Sequence, residues 1–565
     1  VAGDEGFRGI DDARRGKAKW LRMLYGGYRW AGAAGFFPWD NLWHFDDGQK
    51  IFSDLYVVPR KQTSRLFAGQ ENRLLFKVMN DTLSDEPVTL QWSYDVDGKA
   101  IAADKAVLRI EPGFGKEHTI VIRAPQTDQR LDGILRLKVA QEGSEDYVDE
   151  RLVPVLPAVK SLRADVPVYV FDRPGNVSSF LTSAGLKFER IDGLDEVKGK
   201  QGLLIVANDT LTPSEAFGTG LLAFAAGGGR VICLEQEVPP AGSALPAPIK
   251  PTTHFGGYAH PQALGTPLFA GLAKEDLIDW AGDHPTYKNP YQKPSQGGRS
   301  LAECGPSLEL APLVEVPCGE GAILLCQLRV GAKLGLDPAA DVLLRNFIDA
   351  YADYRPTSGV VALFSPEDQL LADKVRQTGV LVETVGSTGE ALDAGKHRVA
   401  LIHASPKNLQ SLLGLKSEAE AFQQAGGWIV LAGLEPKGID RFNELLGTDH
   451  LLRPFRIERV TLESPDHPLA ATLGNRDLAL LSPNPLMHGR YWVSGNTYSY
   501  VIDGQDFAPF TRPPDAPEDP YEYKPTLDDH DPFNFVNGML SSDFWKYIQQ
   551  LGLPEEGPLR LTFQL

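Results

Sequence analysis

The 565-residue sequence predicts a multidomain chain of mixed class, α/β plus all-β. Three observations carry that prediction. The hydrophobic period changes along the chain: helical spacing near the start, short alternating runs from about residue 57, and continuous apolar runs between helical stretches from about 165. The length is too great for one core, so about three to five domains are expected. Finally, the second half repeats the first. Pro267-Leu268 with Asp276-Leu277 matches Pro468-Leu469 with Asp477-Leu478 at an offset of 201, and the glycine clusters beginning at Gly227 and Gly426 stand 199 apart. Coincidences at nearly one offset mark a duplicated domain.

The balance of 42% hydrophobic and 23% charged residues is that of a folded globular protein. A net charge of -18 opposes nucleic acid or an anionic membrane as the main partner. No run reaches the roughly 18 to 20 apolar residues that span a bilayer. Four cysteines in a chain this long make no disulfide framework. Cys233 and Cys326 lie in apolar strand-like runs and read as small buried hydrophobes. Cys304 and Cys318 flank a loop, where a disulfide and two free thiols both remain open.

Residues 1–56 begin with Gly3-Asp4-Glu5-Gly6 and continue into a helix expected from about Asp11 to Arg29. Asp11 and Asp12 suit the helix dipole, and Ala18, Leu21, Leu24 and Tyr25 recur at helical spacing. A second short apolar run, Ala31 to Asp40, closes on an aromatic and an acid. A strand ending in a carboxylate, one helix, and a strand ending in Trp look like the last two βα units of a (β/α)₈ barrel. Residues 57–158 carry four short runs, Leu74–Val78, Val88–Trp92, His118–Ile122 and Gly133–Val139, with turn residues such as Asp97-Gly98 between them. They predict an antiparallel β-sandwich. Residues 159–355 alternate strands (Val168–Asp172, Lys187–Ile191, Leu203–Ala207, Arg230–Leu234) with helices near 176–184 and 213–225. That order means a parallel sheet covered on both faces. Residues 356–505 repeat it with Val360–Phe364, Leu381–Val385, Val399–His403 and Trp428–Leu431. Residues 506–565 are a Pro/Asp-rich segment and the start of a possible further domain.

This arrangement resembles retaining glycoside hydrolases built on (β/α)₈ barrels, above all β-galactosidase-like enzymes of families two and forty-two. Gly3-Asp4-Glu5-Gly6 is similar to their strand-seven nucleophile segment, and Gly35-Phe36-Phe37-Pro38-Trp39-Asp40 to strand eight. Gly69-Gln70-Glu71-Asn72 with Asn80-Asp81-Thr82 is similar to the opening of the immunoglobulin-like sandwich that follows such barrels. The repeated domain resembles the flavodoxin-like, class I glutamine amidotransferase-type domain that some galactosidases carry. The likeness covers about residues 1–500 in architecture. Two departures stand out. The family's acid/base carboxylate comes from strand four, which this sequence lacks. Amidotransferases also place a Cys on a sharp Gly-x-Cys-x-Gly elbow, whereas Cys233 lies inside its run, followed by Leu234-Glu235-Gln236-Glu237. The second copy reads Ile429-Val430-Leu431-Ala432-Gly433 with no Cys. The resemblance thus implies that both copies are inactive as amidotransferases.

Retaining hydrolysis needs two carboxylates about 5 to 5.5 Å apart, one of them the nucleophile. The resemblance points to Glu5, with Asp4 as the alternative under a one-residue shift. The competing reading is a pair of solvated acids. Trp39 is placed to stack on a sugar or to close a barrel; Asp40, Trp43 and His44 line a pocket rim or pack structurally. His254, His260 and His284, with Asp283 and Tyr287, lack the regular spacing of a metal site. Gly227-Gly228-Gly229 precedes a strand and reads as a helix cap rather than a phosphate cradle. Asp528-Asp529-His530-Asp531 reads as a solvated acidic loop before a Ca²⁺ site. The expectation is therefore no cofactor and no metal. Expected partners are an oligo- or polysaccharide substrate, a second copy through the α/β domains, or a second chain supplying the missing barrel strands; neither nucleic acid nor a membrane span is expected. Against the hydrolase stands a non-catalytic carbohydrate-binding or assembly fragment. Substrate type favours a periplasmic or secreted location.

Overall fold

The computed structural model describes residues 7–33, residues 50–450 apart from 51, 62, 160, 263, 295, 306–307, 355–359 and 378–379, and two strands at 489–493 and 496–500. The chain is of mixed α/β class, and among the described residues no sheet closes into a barrel. It falls into two compact units. In the smaller, the described residues are the first turns of the opening helix, up to Arg14, and an antiparallel pair, Gly489–Val493 with Asn496–Tyr500. All that follows concerns the larger unit.

Helix α1 (Phe7–Trp30) starts four residues before the expected Asp11. Its apolar stripe, Ala18, Leu21 and Tyr25, is buried. Arg22 on the same side donates to the Asp149 carboxylate (2.7 Å) and to the Tyr147 hydroxyl (2.9 Å). Arg29 pairs with Asp81 and lies 4.6 Å from the Tyr56 ring centre. The helix is thereby held to the strands that come next.

Those strands are β1 (Leu55–Pro59), β2 (Leu66–Phe67), β3 (Glu71–Asn80), β4 (Val88–Val96), β5 (Lys99–Leu108), β6 (Phe114–Arg123), β7 (Gly133–Ala140), β8 (Tyr147–Leu152) and β9 (Val155–Leu156). They form antiparallel sheets β1-β3-β6 and β5-β4-β7-β8, with a short parallel pair β2-β9. Alternate residues of β4 (Val88, Leu90, Trp92, Tyr94, Val96) and β7 point into one core shared with β1, β3 and β6. This period-two burial is what one buried face per sheet demands. The sequence reading passed over β5, an Ala- and Lys-rich edge strand whose side chains are mostly exposed; its place is set by pairing with β4.

The next sheet contains β10 (Val168–Phe171), β11 (Glu189–Ile191), β12 (Leu203–Val206), β13 (Arg230–Cys233), β15 (Ala259–Pro261), β17 (Tyr291–Gln292), β18 (Arg299–Cys304), β19 (Leu310–Cys318) and β20 (Gly321–Cys326). A separate small pair is β14 (Phe255–Gly256) with β16 (Tyr287–Lys288). The order is β11-β10-β12-β13-β20-β19-β18-β15, parallel as far as β20 and antiparallel beyond it. Every residue of β10, β12 and β13 is buried. Val168, Val170, Leu203, Ile205 and Ile232 enter a core with helices α2 (Asn176–Ser183) and α6 (Pro338–Ala352). Tyr169, Phe171, Leu204, Val206, Val231 and Cys233 enter another with α4 (Gly220–Ala226). Two covered faces leave no room for polar alternation, which is why these strands read as unbroken apolar runs. The single helix expected at 213–225 is two, α3 (Pro213–Ala216), capped by Thr212, and α4. All four thiols are buried and free. Cys304 lies opposite Leu310 at one end of β19, and Cys318 lies at the other. Eight residues of strand, about 26 Å at roughly 3.3 Å each, separate the two positions, which rules out the disulfide left open above.

A buried charge cluster joins this sheet's helices to the sandwich. Asp337 caps α6 and accepts from Lys61 (2.9 Å), from Arg65 Nε and Nη2 (3.0 Å each) and from the Ala281 amide (2.9 Å). Arg65 also donates to the carbonyls of Glu275, Ile278 and Asp279. Burial alone would raise the Asp337 carboxyl, but Arg65 and Lys61 hold it far below the ordinary carboxylate range.

The second sheet has β21 (Val361–Phe364), β22 (Val382–Thr384), β23 (Val399–His403) and β24 (Trp428–Ala432) in the order β22-β21-β23-β24, all parallel. The first four strands of the larger sheet have the same 2-1-3-4 order, while Pro468-Leu469 and Asp477-Leu478, the other half of the sequence repeat, lie outside the described residues.

Candidate functional site

Open parallel sheets bind ligands beyond the carboxyl ends of their strands. In the larger sheet β13 runs out into Leu234-Glu235-Gln236-Glu237, and β20 into Gln327-Leu328-Arg329. Gln236 and Gln327 are buried and stitch these ends together. The Gln236 amide N–H donates to Gln327 Oε1 (2.9 Å), and Gln327 Nε2 returns to the Gln236 carbonyl (3.2 Å) and the Asn289 carbonyl (3.0 Å). Gln236 Oε1 accepts from the amides of Thr210 and Leu211 (2.9 Å each), and its Nε2 donates to Ala207 and Leu234. Every polar group of the Gln236 amide has a partner, so the floor is rigid.

Above that floor is a cleft of about 580 Å³. Val238, Pro239, Pro251 and Pro285 give it apolar walls, and Phe255, 69% exposed, stands at its edge. Glu237, Thr252, Thr253, Lys288, Asn289 and Arg329 supply the polar wall. Lys288 pairs with Asp209 (2.6 Å) and Glu237 (3.4 Å); Arg329 pairs with Asp283 (2.5 Å), which also holds Lys333. The two cations keep the Asp283 carboxyl at about 2 although burial pushes the other way. Three acids thus face three bases. Of the six non-glycine residues with positive φ among those described, Asn289 (+46°) lines the cleft and Asp209 (+48°) pairs with Lys288 of its wall. Strained backbone of this kind persists where surrounding structure enforces it, and it gathers at binding sites.

Beneath the cleft lies Glu235, fully buried. Its carboxylate accepts from the Gly331 amide (3.0 Å) and the Ala332 amide (2.8 Å), which belong to the short helix α5 (Val330–Lys333). Burial lifts the carboxyl to about 7 against those two bonds. No described thiol opens on the cleft. Cys233 faces the α4 core, and burial pushes its thiol well up, so the thiolate needed for attack is suppressed.

The histidines singled out in the sequence do not converge. His284 Nδ1 meets Asp279 (2.8 Å), His254 Nδ1 meets the Tyr287 hydroxyl (3.0 Å), and Asp283 is engaged by Arg329 and Lys333. Among the described residues no group of three or more His, Cys, Asp or Glu is arranged to hold a metal. Gly227 caps α4 and Gly228 follows at φ +89°, as a helix terminus requires. The residues Asp4, Glu5, Trp39, Asp40, Trp43 and His44 lie outside the described residues, as does the Asp528–Asp531 loop. Sequence reasoning missed the cleft. The signal available was a continuous apolar strand ending in two acids and a glutamine at a sheet's carboxyl edge.

No family model matches the chain, and no curated protein matches it. Among solved structures, the periplasmic chaperone SfaE aligns at 13% identity over 19% of this chain and 65% of its own, with a TM-score of 0.15. A β-glucosidase from Listeria innocua in complex with gluconolactone aligns at 16% identity over 19% and 16%, with a TM-score of 0.14. The sporulation control protein Spo0M from Bacillus subtilis aligns at 15% identity over 23% and 54%, also at 0.14. The chain spans less than two thirds of the length of each of these proteins, and TM-scores this low carry no argument about fold or function.

Proposed function

We propose that this chain is the C-terminal or central portion of a retaining, β-galactosidase-like glycoside hydrolase, and that its larger α/β domain is a non-catalytic glycan-binding module. In this reading residues 1–56 end a (β/α)₈ barrel, the sandwich is immunoglobulin-like, and the two parallel sheets are flavodoxin-like domains of amidotransferase type. Glu5 attacks the anomeric carbon, with Asp4 as its alternative. Trp39, Asp40, Trp43 and His44 line the sugar, and the acid/base comes from strands outside this sequence.

The observation that supports a binding role is the charge-balanced cleft. Its cations are already paired, so it offers no surplus charge to an anion. It does offer planar polar groups on Asn289, Arg329 and Glu237 that can exchange paired hydrogen bonds with vicinal hydroxyls, and Phe255 as a face for sugar C–H groups. The suppressed Cys233 thiol weighs against an amidotransferase reaction.

Calorimetric titration of the full chain with lactose and cellobiose tests the module. Binding is expected, weakened roughly tenfold by Phe255→Ala, or about 1.4 kcal/mol. No heat from either sugar at millimolar concentration removes the glycan reading. Hydrolysis of an aryl β-galactoside by the native protein should collapse in Glu5→Gln; an unchanged rate refutes the catalytic part.

A further inference from the structure

The rim of the cleft is not held by its own packing alone. Arg329 enters the wall from the segment Leu328–Lys333, and three side chains reach that segment from beneath. Asn176 Nδ2 donates to the Gly331 carbonyl (2.7 Å). Asn208 lies so close that a Cβ on Gly331 would stand 2.4 Å from its Oδ1, and that oxygen is buried with no hydrogen-bond partner. Glu235 accepts both the Gly331 and Ala332 amides. Asn176 follows β10 and Asn208 follows β12, the strands between which the sheet order turns back. Gly331 therefore covers the crevice where open α/β sheets hold ligands.

Resting on the glycan reading of the cleft, we infer that Glu235 is its positioning residue: the ionised carboxylate fixes the Arg329-bearing segment through two backbone amides, and protonation frees that segment and lowers the affinity of the cleft. An ionised carboxylate is acceptor-only and satisfies both amides; a protonated one turns a hydroxyl hydrogen toward one of them. The unpartnered Asn208 oxygen beside Gly331 is an acceptor that a displaced donor can reach.

The surroundings make the event accessible near neutrality. Among the described residues, the groups that bond the Glu235 side chain or shift it are backbone amides and the Asp209 charge, with no basic side chain among them. Asp209, itself paired with Lys288, adds a like charge from the loop after β12. Cys233 on its own strand and Cys326 at the end of β20 stay neutral thiols, held so by burial and by Glu235. Lys333 and Arg329 point away, to Asp283. Burial is the main influence and raises the group to about 7.

Amide hydrogen exchange of the unliganded full chain, corrected for intrinsic rates, tests this at pH 6 and pH 8. Protection of Gly331 and Ala332 is expected to fall roughly tenfold at pH 6, where about a tenth of a group titrating near 7 stays ionised. The neighbouring β12 and β13 amides should not change. In Glu235→Gln, protection should stay at the low value at both pH values. Lactose titration should show affinity falling in parallel in the wild-type chain only. Exchange that is flat with pH, or a pH response that survives in Glu235→Gln, overturns the inference even if lactose binds. A pH-dependent exchange with no lactose binding at either pH sustains the clamp and overturns the glycan reading alone.

Discussion

Asp337 shows how much one side chain can depend on its neighbours. It sits fully buried with two cationic partners from the sandwich and two backbone amides from its own domain. Replacing it by Ala leaves Arg65, buried itself, with carbonyl partners and only the weaker influence of the Asp276 and Asp279 charges. Breaking a buried pair in this way costs about 3–5 kcal/mol. Asp337→Ala should therefore lower the denaturation midpoint by most of the protein's margin, and a loss under about 1 kcal/mol in urea titration contradicts the buried-pair account. None of this was legible in the sequence. Asp337 caps a helix that the sequence analysis did not single out, and Lys61 and Arg65 are over 270 positions away and carry no pattern that names their partner. Glu235 was legible only as a departure from a Cys elbow, because burial of an acid is a property of packing rather than of local sequence.

At the level of elements the sequence speaks more clearly where a strand is buried on both faces. Val399–His403 was read to the residue, and β10, β12 and β13 to within one. The same reading passed over β5, whose side chains face water, and fused α3 with α4, because neither burial nor breaks in a helix leave a strong period. Register then reveals what the repeat did not. Phe171 pairs with Val206 and Val206 with Cys233, just as Phe364 pairs with Ile402 and Ile402 with Leu431, which makes Glu235 and Gly433 equivalent, as it does Ala207 and His403. In one copy a carboxylate fills the edge of the fourth strand. In the other a glycine at φ +71° leaves that space to the imidazole of His403, whose Cδ2 would lie 2.8 Å from any Cβ there. The seam between β13 and β20 is tight in another way. A Cβ on Gly321 would lie 2.0 Å from the Gly229 carbonyl oxygen and 2.3 Å from that of Ala225, both backbone atoms with little freedom to move. Gly321→Ala should cost about 1–3 kcal/mol or more by overpacking, read as a lower urea midpoint at unchanged slope. A midpoint equal to wild type would mean that α4 and β13 can part at that seam.

For the larger unit as a whole, pH acts in two opposed directions. Glu235 and Asp341 are raised by burial to about 7, from ordinary values of 4.5 and 3.8. Their contribution to stability is complete below those ordinary values and is lost as pH rises toward 7. Asp337 and Asp149 are held low by Arg65 and Lys61, and by Arg151 and Arg22, although burial opposes both shifts. Their contribution is present above 3.8 and is lost as pH falls through their lowered values. The melting temperature should therefore be higher near pH 5 than at pH 8, and should drop again in strong acid. Scanning calorimetry that finds a maximum at pH 8 contradicts these assignments. The clamp under the cleft adds a distinctive feature: between pH 8 and 6 the molecule should become harder to melt while the rim at Gly331 becomes easier to open. The cluster at Asp337 also bears on how such a protein can be taken apart. Cutting the chain at the composition change near residue 158 would give two pieces, each with most of a hydrophobic core, although Leu156 would be parted from the α/β core it packs in. One would carry Lys61 and Arg65 without a carboxylate, the other a helix cap stripped of its cations. The shift in composition that parts the sandwich from the sheet is thus a poor guide to where the polypeptide can be shortened, exchanged or inherited in halves.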